Sequence, residues 1–263
     1  MNFTRTTAYK LTAIIIALSI GYAATAHTQI FRSLFFKNSS RIKAIIFDMD
    51  GTIIDTDHLW KAANRPILDQ HAPHLLDNQK DAMIDSFKHL TFYELWKIMQ
   101  DHCVTEMTIE EIAQQNRRHV QALYRIKGIS VIPKFYDFHD KVVQAGLKTA
   151  IATSSEQDTV DIILEMVPLK NCFGDHIYNV DHVNKAYKPS PDVYLHAAKM
   201  LGVQPTDCIA IEDSSSGIKA AKAAGMYCIG INTGKNKAVL AQADEIVDCF
   251  SEIDVEKLLN IKN

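Results

Sequence analysis

The amino-acid sequence predicts a three-layer α/β protein, with a parallel sheet covered by helices on both faces and an all-helical domain inserted near its start. The first observation is a short apolar run, Ala44 to Phe47, which has the length and composition of a strand buried on both faces. The second is the segment 57–132, which has helical periodicity and no convincing strand. The third is the alternation of strand-like and helix-like segments after Pro133, which implies right-handed βαβ crossovers.

The first 26 residues differ from the rest of the chain. Arg5 and Lys10 precede an apolar run, residues 11–26, that ends in the small-residue pattern Ala-Thr-Ala typical of signal-peptidase cleavage. The run is short for a membrane span, which needs about 20 apolar residues. We therefore predict a signal peptide, with His27 as the first mature residue and an exported protein, periplasmic or secreted. An uncleaved membrane anchor and a start codon assigned too early, which would leave the protein cytoplasmic, are the alternatives.

The length of 263 residues suits one large domain or a core plus a smaller second domain, and the chain has 47% hydrophobic residues and a net charge of −3. No basic stripe with interleaved aromatic residues occurs, so nucleic acid is not an expected partner. The five cysteines are odd in number and scattered, and no two form a Cys-x-x-Cys pattern. This pattern does not indicate a disulfide framework and argues against an oxidising compartment. The three features of the amino-terminal signal outweigh this objection.

The elements then follow in order. Residues 27–41 form a linker, residues 42–55 and 134–263 form the core, and residues 56–133 form the insert. We expect about four helices in the insert, one of them capped by Thr108 with Glu111 three residues later. After Pro133 helices and strands alternate, starting with a helix, at 134–145, 148–152, 156–166, 176–179, 192–201, 208–211, 216–224 and 226–231, before a short helix from residue 253.

Two carboxylates, Asp48 and Asp50, directly follow the first strand, and Gly51 comes next. The carboxyl ends of parallel strands are where ligands bind, and residues two apart in a strand point the same way. Two carboxylates aimed at one spot repel each other, and Mg²⁺ would resolve that conflict because it prefers oxygen ligands. The alternative is an Asp-Gly turn closing a hairpin. We consider it weaker because the chain becomes helical from Asp57 instead of forming a second alternating strand.

Three further polar clusters occur at expected strand ends or loops. Thr153, Ser154 and Ser155 precede a helix, where hydroxyl and backbone N–H groups could hold a phosphate or simply cap the helix. Lys188 lies in a loop stiffened by two prolines, although a lone lysine there is usually a solvated surface residue. A pair of acids, Glu212–Asp213, ends another apolar strand and could equally serve in capping.

The four clusters, taken in chain order as Asp-x-Asp-Gly-Thr, Thr, Lys-Pro and Glu-Asp, resemble the signature motifs of the haloacid dehalogenase superfamily of phosphatases and phosphomutases. The resemblance covers the chain from about residue 42 to its end. It implies a Rossmann-like parallel-sheet core, and it places the helical insert at the position of the cap domain of that family. A catalytically inactive binding module is a possible alternative, but such a protein should have lost at least one of the motif residues.

The resemblance also implies roles for the motif residues. Asp48 would be the nucleophile that forms an aspartyl-phosphate, and Asp50 would be the general acid and base. The phosphoryl oxygens would be bound by Thr153, Ser154 and Lys188. Mg²⁺ would be held by Asp48, the backbone carbonyl of Asp50, Asp213 and, nearby or through water, Glu212.

Within the superfamily the chain is similar to the branch that includes β-phosphoglucomutase and sugar-phosphate phosphatases. Mutases of this branch typically carry a histidine at the position of Trp60, so we expect a phosphatase that acts as a monomer on a small phosphorylated metabolite of the sugar-phosphate class. A β-phosphoglucomutase-like enzyme is the alternative. The cap should act as a lid and select the substrate. Its candidate substrate residues, each able to face solvent instead, are Arg65, Lys88, His89 and Lys97.

Overall fold

The computed structural model describes residues 42–87, 90, 92–104 and 106–261. The predicted signal peptide and linker, and the candidate substrate residues Lys88 and His89, therefore lie outside the described residues. No helix among the described residues is long and apolar enough to cross a bilayer.

A six-stranded parallel sheet forms the core, in the order β5-β4-β1-β6-β7-β8. Its strands are β1 (Ala44–Phe47), β4 (Lys148–Ala152), β5 (Ile177–Tyr178), β6 (Cys208–Glu212), β7 (Tyr227–Ile231) and β8 (Glu245–Val247). Strand β1 is central and pairs with β4 on one side and with β6 on the other, with Phe47 opposite Ile151 and Ile211. The carboxyl ends of these three strands therefore lie side by side.

Helices cover both faces of this sheet, as the alternation of segments predicts. They are α5 (Phe135–Gln144), α6 (Gln157–Met166), α7 (Lys170–Phe173), α8 (Asp192–Leu201), α9 (Ser215–Ala223) and α10 (Val255–Leu258). Because side chains alternate along a strand, Ile45 and Phe47 of β1 pack with Phe135 of α5 on one face. Ala44 and Ile46 pack with α8 and α9 on the other. The predicted three-layer α/β fold is confirmed.

The insert consists of the helices α1 (Asp57–His71), α2 (Asp77–Ser86), α3 (Phe92–His102) and α4 (Ile109–Lys127). It has an apolar core of its own, in which Trp96, Met99 and Ile112 are buried. The predicted N-cap of α4 is present: the Thr108 hydroxyl accepts from the Glu111 N–H at 3.2 Å, and the Glu111 carboxylate accepts from the Thr108 N–H at 2.8 Å. The insert is the helical cap.

Several elements differ from the sequence predictions. Strand β2 (Ile54–Asp55) pairs antiparallel with β3 (Ser130–Val131), although we expected no strand between residues 57 and 132. This two-stranded ribbon joins the two ends of the cap to each other. Strand β8 was also missed, β5 is shorter than predicted, and α10 begins two residues later than expected. Gly51 (φ 80°) does open a tight turn, so the turn and the acidic site coexist.

Candidate active site

The acidic and polar motifs meet at one edge of the sheet because their strands are neighbours. Asp48 follows β1, Thr153 follows β4, and Glu212 ends β6, with Asp213 next in the chain. Lys188 reaches the same point from the loop before α8. All of these side chains are buried, each with no more than 7% of its surface exposed.

Lys188 is the centre of the hydrogen-bond network at this edge. Its ammonium donates to Asp48 Oδ1 at 2.6 Å, to Glu212 Oε1 at 2.6 Å and to the Ala152 carbonyl at 2.9 Å. Burial by itself would lower the pKa of Lys188, but Asp48 and Glu212 outweigh it and raise the pKa above the usual value. Lys188 is therefore a fixed positive charge beside Asp48. The alternative that it is a solvated surface lysine is wrong.

Glu212 holds the ammonium of Lys188 in place. Its Oε1 also accepts from the Tyr194 hydroxyl at 2.7 Å, and its Oε2 accepts from the Ser214 hydroxyl at 3.1 Å. Gly217, in the first turn of α9, makes room for this carboxylate: a Cβ atom there would lie 1.9 Å from Glu212 Oε1. Sequence reasoning missed Tyr194, since a tyrosine two positions into a helix carries no distinguishing pattern.

Asp213 packs against the turn that follows the Asp48 and Asp50 motif. The Thr52 hydroxyl donates to Asp213 Oδ1 at 3.3 Å. At Gly51, a Cβ atom would lie 2.4 Å from Asp213 Oδ2. Glycine is required here for two reasons, the positive φ of the turn and the close approach of the carboxylate.

Asp48, Glu212 and Asp213 form the one group among the described residues that could hold a metal ion, with one carboxylate oxygen from each lying within 4.8 Å of the others. Burial raises the pKa of Asp48 well above its usual range, Lys188 opposes this shift, and Glu212 and Asp213 add to it. A buried group of three carboxylates with one lysine has excess negative charge. Its all-oxygen donors fit a hard divalent cation such as Mg²⁺.

The carboxylate of Asp50 lies outside that group and is held by four donors. Its Oδ1 accepts from the hydroxyl of Thr56 at 2.9 Å, from the indole N–H of Trp60 at 3.3 Å and from the hydroxyl of Tyr124 at 3.0 Å. Its Oδ2 accepts from the Ser155 hydroxyl at 2.8 Å. Trp60 and Tyr124 belong to the cap, so the cap orients this acid directly. The third hydroxyl of the Thr-Ser-Ser cluster was a signal for Ser155, whereas Tyr124 had none.

Thr153 and Ser154, the residues predicted to bind phosphate, follow β4 and lie beside Lys188. The Thr153 hydroxyl accepts from the Ser155 N–H at 3.0 Å, and the Ser154 hydroxyl accepts from the Lys188 N–H at 3.3 Å. Both residues line a cavity of about 290 Å³ that also includes Asp48, Asp50 and Lys188. This volume is at the small end of the range for small-molecule sites.

The remainder of the cavity wall comes mostly from the cap. Its lining includes Lys61 and Arg117, two cations that the sequence did not single out. Arg65 is not part of the lining, because its guanidinium pairs with Asp69, Asp77 and Asp81 on the cap surface. Lys97 pairs with Asp101 and does not line the cavity either.

One carboxylate, Glu156, joins the cap to the loop that carries Lys188. Arg117 of the cap contacts Glu156 Oε1 at 2.7 Å, and Lys185 contacts Oε2 at 2.6 Å. The Tyr187 hydroxyl donates to the same carboxylate, and Tyr187 directly precedes Lys188. The position of Lys188 is thus tied to a cap residue through Glu156.

A capped α/β enzyme with carboxylates at its strand ends is the class that this fold and site define. A family model described as haloacid dehalogenase-like hydrolase matches residues 45–231. The chain therefore belongs to the haloacid dehalogenase-like hydrolase family, as the motifs predicted.

Several relatives are similar over nearly their whole length. Fructose-1-phosphate phosphatase YqaB of Escherichia coli is 30% identical over 196 residues, covering 73% of this chain and 97% of that protein. Beta-phosphoglucomutase of Bacillus subtilis is 30% identical over 220 residues, covering 82% and 94%. The crystal structure of CbbY from Rhodobacter sphaeroides in complex with phosphate is 27% identical, has a TM-score of 0.67 and covers 84% of this chain and 100% of that one. These findings confirm the predicted family and the predicted enzyme class, a phosphoric monoester hydrolase.

Proposed function

We propose that this protein is a Mg²⁺-dependent phosphatase that hydrolyses a sugar phosphate through an aspartyl-phosphate. The observation that carries this proposal is the pairing of Asp48 with Lys188 at 2.6 Å in a cavity that Asp50 also lines. A nucleophile, a phosphate-binding cation and an acid then face one small volume. Relatives that are named as a fructose-1-phosphate phosphatase and as a sugar phosphomutase support a sugar phosphate as substrate.

The first step forms a bond between an Asp48 oxygen and phosphorus and breaks the ester P–O bond. Lys188 contacts Oδ1 of Asp48, so Oδ2 is the candidate attacking atom. Asp50 gives a proton to the departing alkoxide. In the second step it takes a proton from a water whose oxygen bonds to phosphorus while the bond between Asp48 and phosphorus breaks, which releases inorganic phosphate and restores the Asp48 carboxylate. Lys188 and the N–H and hydroxyl groups around Thr153 hold the phosphoryl oxygens, and such positioning is most of what phosphoryl transfer requires.

Asp48, Asp213 and the backbone carbonyl of Asp50 are the groups that would hold Mg²⁺. When bound, the ion would neutralise charge on the phosphoryl oxygens. Glu212 would act through water, because its two oxygens already accept hydrogen bonds from Lys188, Tyr194 and Ser214.

The residue at position 60 favours a phosphatase over a mutase. The indole N–H of Trp60 donates to Asp50 at 3.3 Å, so this side chain lies beside the acid and base. An indole has no proton to exchange near neutral pH, unlike the histidine expected of a mutase. Asp50 would therefore exchange protons with substrate and water without a second titrating group from this position.

The test is release of inorganic phosphate by the purified protein from a panel of sugar and polyol phosphates, with Mg²⁺ and with a chelator. We expect release that needs the metal and is abolished by Asp48→Asn, while Asp161→Asn, an exposed carboxylate on α6, behaves as wild type. Analysis of the sugars in the same samples detects a mutase. Near-wild-type release by Asp48→Asn, or an isomerised sugar phosphate without phosphate release, would refute the proposal.

A further inference from the structure

One face of the cap helix α4 contacts the core. Arg117, Gln121 and Tyr124 are spaced as i, i+4 and i+7, so they lie on the same face of this helix. Gln121 donates to the Asp158 carboxylate of α6 at 2.9 Å, and Tyr124 donates to the Asp50 carboxylate at 3.0 Å. Because these side chains belong to one helix, a movement of the cap away from the core would break their contacts together.

Arg117 reaches the core at Glu156, the residue that precedes α6. Its guanidinium contacts Glu156 Oε1 at 2.7 Å, and the two side chains are only 12% and 13% exposed. An ion pair this little exposed is only weakly screened by solvent ions. Glu156 is in the N-cap position of α6, yet its side chain makes no capping hydrogen bond. The carboxylate contacts Lys185 and Tyr187 as well as the cap, so it joins these parts instead of capping the helix.

The loop 184–191, which we call the Lys188 loop, has a conformation that needs such contacts. Asn184 and Lys185 both have a positive φ, 54° and 61°, which is uncommon for residues with a Cβ atom and persists where surrounding contacts impose it. Glu156 accepts from the Lys185 ammonium at 2.6 Å and from the Tyr187 hydroxyl. It therefore holds the chain both three residues and one residue before Lys188.

We propose that Glu156 is a positioning residue, which aligns Lys188 for catalysis only while Arg117 of the cap is bound to it. The Arg117 guanidinium and the Tyr187 hydroxyl share Oε1 of this carboxylate, so the cap fixes the orientation in which the carboxylate holds the Lys188 loop. Without Arg117 the carboxylate is free to rotate, and the loop loses a rigid anchor. The inference rests on the proposed phosphatase function. It adds that the position of the cap controls the lysine of the site as well as the acid.

Steady-state phosphate release by Arg117→Gln and Glu156→Gln tests this. Each change should lower kcat at least about tenfold and change KM much less, because misalignment of Lys188 affects the reaction more than binding. The double variant should be no slower than Glu156→Gln alone, since both changes break the same contact. The matched controls are Arg118→Gln on α4 and Glu165→Gln on α6, exposed residues whose replacement should leave kcat near wild type.

Amide hydrogen exchange measures the same coupling without turnover. Arg117→Gln should make exchange in the Lys188 loop at least about threefold faster, whereas Arg118→Gln should leave it unchanged. Strand β7 is the internal reference, because a protein that is destabilised as a whole would exchange faster there too. If Glu156→Gln fails to fold, Tyr187→Phe breaks the link at the loop and should lower kcat with the same small change in KM.

Unchanged kcat in Arg117→Gln, or unchanged exchange in its Lys188 loop, would overturn the inference. A rise in KM that Arg117→Gln shows and Glu156→Gln does not would also overturn it, because Arg117 would then act by binding the substrate. The proposed function has a separate readout. If the wild-type protein releases no phosphate from any ester but Arg117→Gln speeds exchange in the Lys188 loop, the phosphatase proposal fails and the link between the cap and this loop stands.

Discussion

Gly217 offers a test in which two physical effects predict opposite signs. Replacing a glycine in a helix by alanine normally stabilises the helix by about 1 kcal/mol. At Gly217, however, the added Cβ would lie 1.9 Å from the Glu212 carboxylate, which is fully buried and holds Lys188. Either α9 or Glu212 must move.

The size of the effect follows from those contacts. Overpacking of a buried site costs about 1–3 kcal/mol. Displacing Glu212 also weakens its hydrogen bond to the Lys188 ammonium, a contact of a kind that contributes about 1.5–3 kcal/mol. Set against the gain in helix propensity, the net result is a loss of about 2 kcal/mol, or a fall in Tm of about 4–8 °C for a domain of this size.

The assay combines urea unfolding with phosphate release by the Gly217→Ala protein. We expect lower stability and a kcat at least about tenfold lower, because Lys188 loses its alignment with Asp48. Lys219→Ala is the control, an exposed change in the same helix that should leave both properties near wild type. A Gly217→Ala protein that is more stable than wild type, with unchanged kcat, would refute the reasoning about this contact.

Three further predictions concern the acid, the metal and the amino terminus. Tyr124→Phe removes one of the four donors to Asp50 and should lower kcat about tenfold with little change in KM. The control is Tyr136→Phe on the surface, which should change neither constant. Equal kinetics for the two variants would exclude a role for the Tyr124 hydroxyl. Because burial raises the pKa of Asp48 and favours its protonated form, the increase in Tm caused by Mg²⁺ should be largest at alkaline pH and shrink as the pH falls; an increase that does not depend on pH would contradict metal binding by this carboxylate. Cell fractionation should recover a species that starts near His27 outside the cytoplasm, and cytoplasmic protein with Met1 intact would contradict export.

Much of the core was predictable because its signals are local. The apolar run of β1 predicts a buried strand, and the acids that follow it predict a charged strand end. Short elements without periodicity were not predictable: β2 and β3 have two residues each, and β8 buries only Val247 well. Their existence depends on partners that lie far away in the chain.

The candidate site divides in the same way. Asp48, Lys188 and Asp213 belong to motifs, and the fold brings them together as expected. Tyr124 and Tyr194 contact Asp50 and Glu212 across 74 and 18 residues of sequence, so no local pattern could reveal them. In the cap, Arg65 had the right chemistry, but the three carboxylates around it keep it at the surface. Arg117 lines the cavity instead. Which cation of the cap faces the cavity depends on how the cap helices pack.

The central position of β1 has a consequence for the order in which the protein can fold. This strand comes first among the described elements, yet its partners are more than 100 and 160 residues later, at Lys148 and Cys208. During synthesis both edges of β1 stay unpaired until β4 and then β6 have left the ribosome. Long-range pairing of this kind slows folding. Asp48 therefore acquires Lys188 and Glu212 as neighbours only near the end of folding, so phosphate release would be a sensitive assay for completed folding.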